Sequence, residues 1–293
     1  MRFLILGCNG MAGHTISLYL SSKGHDVTGY ARKQSKIVKT VIGDAFDQEY
    51  LKSIVVGGKF DSVVNCIGIL NREADIHKCQ AVYLNAFLPH FLEDITSETG
   101  IQIIHISTDC VFSGKKGHYT ENALRDGELF YDRSKALGEL ENNKDFTIRT
   151  SIIGPDLNPN GIGLLNWFLM KKDVVSGYRK VMWTGMTTLQ LAKCVERISL
   201  EHLNGLYNMV PELSISKYDL LVLCNKIIRK DMLIINGQDT PKLDKSLIRS
   251  RKEFDYCVPD YHEMIKELGI WMRKYRDLYP HYDLPEESGG VHR

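Results

Sequence analysis

The sequence predicts a doubly wound α/β fold, a parallel sheet with helices on both faces, followed by a smaller C-terminal α/β domain. Three observations carry that expectation. Residues 3–6 (Phe-Leu-Ile-Leu) form an unbroken apolar run without Gly or Pro, the pattern of a strand buried on both faces. Gly7, Gly10 and Gly13 follow at a spacing of three, and Ile16, Leu18 and Leu20 then mark a helix. Apolar strand runs and helical patterns continue to alternate as far as Ser107, as in a sheet built from strand–helix–strand units.

The first of these units already suggests a ligand. A glycine turn between a strand and a helix start lets the backbone approach an anion, and the free N–H groups of the helix face it. Gly7, Asn9, Gly10, Met11 and Gly13 are therefore candidates for holding a cofactor phosphate. Residues 25–30 read as the second strand, which runs out at Tyr30-Ala31-Arg32-Lys33. In dinucleotide-binding folds an acidic residue here bonds the ribose hydroxyls. This chain has none, and Arg32 with Lys33 suits a 2′-phosphate, so NADPH is expected over NADH, with NADH possible.

Residues 40–44 form a third strand, and Asp44, with Ala45 beside it, ends it where an adenine would lie. A crossover helix over 48–56 leads to a fourth strand, 60–68, whose end at Cys66, Ile67 and Gly68 is small enough for a close ligand. A long helix is expected over 81–99, with Asn85 inside it as a further cofactor candidate, and a fifth strand over 101–107. The glycine turn, Arg32, Asp44, Gly68 and Ser107 all fall at carboxyl ends of strands, so they share the rim where such sheets bind ligands.

Two features on that rim carry chemistry. Ser107-Thr108-Asp109-Cys110-Val111-Phe112 follows the fifth strand, and Tyr131 precedes Lys135 by four residues at a helix start. That offset puts Tyr131 and Lys135 on one helix face. A free phenol titrates near pH ~10, too high for efficient proton exchange at neutrality. A fixed ammonium close by favours the phenolate, and bringing the phenol to neutral pH is worth about 4 kcal/mol. The Thr108 hydroxyl would bond the same substrate oxygen.

Composition narrows the class. The 293 residues are 43% hydrophobic and 25% charged, with a formal net charge of +1, so nothing favours nucleic acid or an anionic membrane. No apolar run is long enough to span a bilayer, and the N-terminus has no signal-peptide pattern. The seven cysteines form no C-x-x-C pair, so neither a disulfide frame nor a metal site is expected, and a cytoplasmic setting fits.

Taken together, Gly7-x-x-Gly10-x-x-Gly13, Ser107-Thr108-Asp109-Cys110-Val111-Phe112-Ser113-Gly114, Tyr131-x-x-x-Lys135 and Arg149-Thr150-Ser151 resemble the extended short-chain dehydrogenases/reductases. Within them the chain is most similar to the dTDP-4-dehydrorhamnose reductases and related reductases of 4-keto-6-deoxy nucleotide sugars. The resemblance covers most of the chain. It implies a Rossmann-like fold, a catalytic Thr108, Tyr131 and Lys135, Lys135 also on the nicotinamide ribose, and a nucleotide-sugar substrate. Asp109, Ser151 and Asn166 are candidates for contacting that substrate. Related 4,6-dehydratases carry Thr-Asp-Glu in this loop, where this chain has Cys110; reductases usually have an aromatic there. Asp132 and Arg133 also depart from the reductase pattern. The resemblance leaves open an epimerase, a non-catalytic NADP-binding regulatory subunit, and a homodimer.

The remaining elements complete two domains. A sixth strand is expected over 146–153. A turn-rich break at 156–161 opens the substrate domain, read as 156–180 and 209–293, with 1–155 and 181–208 in the cofactor domain. Helices are expected over 164–169, 187–200, 216–228 (capped by Ser216) and 264–275. Residues 181–184 are expected to return to the central sheet, 205–209 to form a strand, and the tail from Leu284 to be loose. The basic segment 242–251 reads as a solvated face or as help for a diphosphate.

Overall fold

The computed structural model describes residues 1–285. Six strands precede Thr150: β1 (Arg2–Leu6), β2 (Asp26–Ala31), β3 (Lys39–Ile42), β4 (Ser62–Asn65), β5 (Gln102–Ser107) and β6 (Phe146–Arg149). Beyond it lie β7 (Ser151–Ile153), β8 (Val175–Tyr178), β9 (Val181–Trp183), β10 (Gly185–Thr187) and β11 (Gly205–Asn208). The central sheet has seven strands in the order β11-β6-β5-β4-β1-β2-β3, and every neighbouring pair is parallel. Strand order reverses between β1 and β4, which opens a crevice at their carboxyl ends.

The unbroken apolar run explains the middle position of β1. Phe3 and Ile5 enter one core cluster and Leu4 and Leu6 the other, so both faces of the strand are covered. The helices up to the site are α1 (Met11–Ser22), α2 (Gln48–Gly57), α3 (Asn71–Ile76), α4 (Lys78–Ala81), α5 (Leu88–Thr96) and α6 (Phe130–Leu137). After it come α7 (Leu164–Leu169), α8 (Thr188–Glu201), α9 (Lys217–Cys224) and α10 (Tyr261–Lys274). Helix α8 packs on α1, where the Tyr19 hydroxyl donates to Glu196 Oε2 at 2.7 Å.

Several elements differ from expectation. The helix expected over 81–99 is interrupted by a π-helical segment, Val82–Phe87, ahead of α5. At this segment a Cβ on Gly138, at the end of α6, would lie 1.9 Å from the Asn85 carbonyl oxygen, so the two helices nearly touch there. The sixth strand breaks at Thr150, and β7 leaves the central sheet to pair with β10. Residues 181–184 do not return to that sheet, because β11 already occupies the edge beside β6. Instead β9 lies between β12 (Ile215–Ser216) and β14 (Leu243–Asp244), while β8 pairs with β13 (Ile235–Gln238). Ser216 caps α9 as expected, its Oγ accepting from the Asp219 N–H at 3.0 Å, and a π-helical turn, Asn225–Arg229, follows. Of the tail, Leu284 packs into the core, and residues 286–293 lie outside the described residues. No helix among the described residues is long and apolar enough to cross a membrane.

Candidate active site

The glycine turn at the end of β1 is shaped by close backbone approach. Gly7 has φ +79°, a region that favours glycine, and its N–H donates to the Tyr30 carbonyl at 2.9 Å. A Cβ on Gly13 would lie 2.2 Å from the Gly7 carbonyl oxygen, so only glycine lets α1 start this close to the turn. Gly10 caps α1 in extended conformation with no side-chain acceptor on the first-turn N–H groups. That leaves a positive helix end facing the crevice, the arrangement that receives a phosphate.

Around this cradle, Asn9 Nδ2 donates to the Lys33 carbonyl at 2.9 Å and ties the turn to the loop after β2. Arg32 and Lys33 are both exposed there. Asp44 is exposed beyond β3, its Oδ1 accepting from the Phe46 N–H at 3.1 Å, while Ala45 is buried and its carbonyl accepts from the Tyr83 hydroxyl. Cys66 and Ile67 stand directly against Gly7, with Gly68 beyond them on the open side. Met11 reaches across to Gly163, where a Cβ would lie 2.9 Å from its sulfur. The glycine cradle, its uncapped helix end and the two flanking cations fit a dinucleotide phosphate chain.

Thr108, Tyr131 and Lys135 come together beside the cradle. Thr108 caps a short 3-10 turn (Asp109–Val111): its Oγ1 accepts from the Cys110 N–H and donates to Asp109 Oδ1, both at 3.1 Å. The Tyr131 phenol faces Thr108, the one neighbour that favours its ionised form. Tyr131 and Lys135 lie on α6 and are both buried. Burial pushes the phenol well above its ordinary range, the negative potential of Cys110, Asp109 and Asp132 adds to that, and only Thr108 opposes it. Burial in turn lowers Lys135 to about 8, against the pull of Glu139 and Cys66.

This corrects the expectation that Lys135 depresses Tyr131. A buried ammonium seeks acceptors, and Lys135 Nζ donates to the Ile106 carbonyl at 2.8 Å and lies 3.2 Å from His105 Nε2.

Other residues singled out in the sequence do different work. The Ser107 hydroxyl donates to Glu139 Oε1 at 2.7 Å rather than to the crevice. Glu139 is a buried carboxylate gripped by Arg149 at 2.8 and 2.6 Å. Burial alone would raise it, and the bonds and charge of Arg149, with help from Ser107 and Arg125, hold it below its ordinary value. Asn85 is fully buried: its Oδ1 accepts from the Ile69 N–H, and its Nδ2 donates to the Ile69 carbonyl and to Ser134 Oγ. It clasps the loop after β4 to α6 and spends both its donor hydrogens within the chain. Asn166 is likewise engaged within the chain, donating to the Pro159 and Gly161 carbonyls and accepting from the Tyr282 hydroxyl at 2.6 Å. Ser151 is half-buried in β7, opposite Gly185.

Two features escaped the sequence reading. His105 and Asn65 stand behind Lys135, with Asn65 Nδ2 3.2 Å from His105 Nδ1; the only cue was a histidine inside an apolar strand. Lys245, from the basic segment after β14, reaches Asp132 on α6, 3.6 Å between charged atoms.

Known proteins resemble this chain over most of its length. The model of the family described as RmlD substrate binding domain matches residues 1–175. The chain is 24% identical over 299 residues to the spore coat polysaccharide biosynthesis protein SpsK of Bacillus subtilis, covering 98% of each. It is 25% identical over 288 residues to the probable low-salt glycan biosynthesis reductase Agl14 of Haloferax volcanii, covering 92% of this chain and 93% of that protein. Among solved structures, the dTDP-4-dehydrorhamnose reductase of Bacillus anthracis, in complex with NADP, superposes with a TM-score of 0.78 at 19% identity, covering 92% of this chain and 99% of that one.

Proposed function

The chain belongs to the RmlD substrate binding domain family, and from that premise we propose that it is an NADPH-dependent reductase of the C4 carbonyl of a nucleotide-linked 4-keto-6-deoxyhexose. The observation that carries this reading is that Thr108 and the buried Tyr131 face each other beside the glycine cradle, with Lys135 one helical turn further on. Relatives named for reduction and for surface-glycan synthesis support the same reading. In it, residues 1–155 with 185–208 form the part that holds the cofactor, and residues 156–184 with 209–285 the part that takes the sugar nucleotide.

When bound, a nicotinamide dinucleotide supplies the hydride. The rest falls to side chains. Because burial raises the Tyr131 phenol, it remains protonated at neutral pH and is ready to donate. A carbonyl oxygen received by the Thr108 and Tyr131 hydroxyls gains negative charge as it is reduced, and that charge draws the phenolic proton. Lys135, one helical turn further along α6, is the buried cation from which the phenolate can regain its proton. Arg32 and Lys33 meet the 2′-phosphate that distinguishes NADPH.

Cys110 argues against sugar dehydration. It stands where a dehydratase would need a carboxylate base, and burial pushes its thiol up to about 12, so it is neutral at working pH.

The test is oxidation of NADPH, and of NADH in parallel, with a panel of dTDP-, UDP- and GDP-linked 4-keto-6-deoxy sugars. One sugar nucleotide should be reduced with one NADPH consumed per product, and faster with NADPH than with NADH. Interconversion of sugar epimers without net cofactor use, or cofactor binding without turnover on any member, would contradict the proposal.

A further inference from the structure

Behind Lys135 lies a line of buried polar groups that the reaction above does not use. It starts at Ile67, whose backbone N–H donates to Asn65 Oδ1 at 3.1 Å. That bond fixes the side-chain amide, since a flipped amide would set two donors against each other. Asn65 Nδ2, 3.2 Å from His105 Nδ1, is therefore a donor, and Nδ1 is its acceptor. His105 is fully buried. Burial first, then the charges of Lys135 and His90, hold its ring neutral. A neutral imidazole has one N–H, so the proton sits on Nε2, 3.2 Å from Lys135 Nζ.

An amine nitrogen accepts that bond, whereas an ammonium has no lone pair to offer. Moving the ring proton to Nδ1 would only shift the conflict to the Asn65 amide. A charged Lys135 thus leaves one donor facing another in either tautomer. The free amine leaves no such conflict: it accepts from His105 and donates to the Ile106 carbonyl at 2.8 Å.

We propose that His105, oriented by Asn65, is a positioning residue that favours the free-amine form of Lys135. Three other ionisable groups face Lys135. Glu139 favours the ammonium but is already gripped by Arg149 and Arg125. The Cys66 thiol is held neutral by burial, pushed up to about 12. Tyr131 stands one turn away on α6. Resting on the reductase reading, the consequence is proton supply. After Tyr131 gives its proton to the substrate oxygen, the Lys135 ammonium gives one to the phenolate and becomes the amine that His105 receives. Solvent then returns a proton to Nζ.

Two measurements on the full chain without ligands test the wiring. Imidazole 15N NMR, with the His105 signals assigned by their loss in His105→Gln, should show a neutral ring protonated on Nε2; a ring protonated on Nδ1, or an imidazolium, would overturn the proposal. Titration of the Lys135 ε-carbon signal should then give a midpoint about one pH unit or more higher in Asn65→Asp, where an acceptor replaces the donor and the ring turns to Nδ1–H. His105→Gln, whose amide oxygen accepts from Nζ, should shift it the same way. A midpoint unmoved in both folded variants would also overturn it. Neither readout needs turnover, so a correct tautomer in a chain that reduces no keto sugar would fault the reaction and not the wiring.

Discussion

Tyr131 and Lys135 share one face of α6, yet burial moves their protons in opposite directions, raising the phenol and lowering the ammonium to about 8. A protonated phenol is the form a carbonyl reduction needs, so Tyr131→Phe should cut turnover by about 10²- to 10⁴-fold. Fluorescence titration with NADPH should find its binding nearly intact, because the glycine cradle is untouched. Lys135 also leaves a mark on stability. Below pH 8 it is charged in both folded and unfolded chains, and the cost of the buried charge stands in full. Between about 8 and its ordinary 10.5 the unfolded chain binds more protons, so folding becomes more favourable as pH rises. The urea midpoint of the wild type minus that of Lys135→Met should therefore climb across that window, and a flat difference would contradict the assignment.

At the scale of elements, the two glycines that follow Gly7 have separable jobs. A Cβ at position 13 would lie 2.2 Å from backbone at Gly7, while one at position 10 would make an ordinary 3.4 Å contact. Gly13→Ala should lower the melting temperature sharply and abolish cofactor binding with it. Gly10→Ala should keep the fold and weaken cofactor binding alone, since it adds a methyl at the uncapped start of α1 without a backbone clash; calorimetry of both variants checks this. These parts were legible in the sequence because they are local: an apolar run, a glycine spacing and a four-residue offset each fix a backbone shape. The side-chain partners were not. Asn85 and Ser107 read as cofactor contacts and Asn166 as a substrate contact. Their groups are instead taken by Ile69 and Ser134, by Glu139, and by Tyr282 with two backbone carbonyls, partners that only tertiary folding brings close. The departure of β9 from the central sheet was hidden for the same reason, because which strand takes the edge beside β6 depends on a segment more than twenty residues later.

Across the whole molecule, the buried Glu139–Arg149 pair joins the site to the far half of the chain. Arg149 also reaches the Glu121 carbonyl and Asn208 Oδ1, both at 3.3 Å, so the segment just after α6, β6 and β11 meet at one guanidinium. Arg149→Met leaves the buried carboxylate with only Arg125 and Ser107 and should cost about 3 kcal/mol in urea unfolding, with part of the loss recovered in Arg149→Met/Glu139→Gln. Lys245 adds a second tie, from the C-terminal segment to Asp132 on α6. The most direct measurement of the account follows the atoms themselves. The sugar nucleotide turned over by the wild type with C4-deuterated NADPH should carry one deuterium at sugar C4, and Tyr131→Phe should form that product only at a trace rate. Product without deuterium at C4, or formed equally fast by Tyr131→Phe, would contradict it.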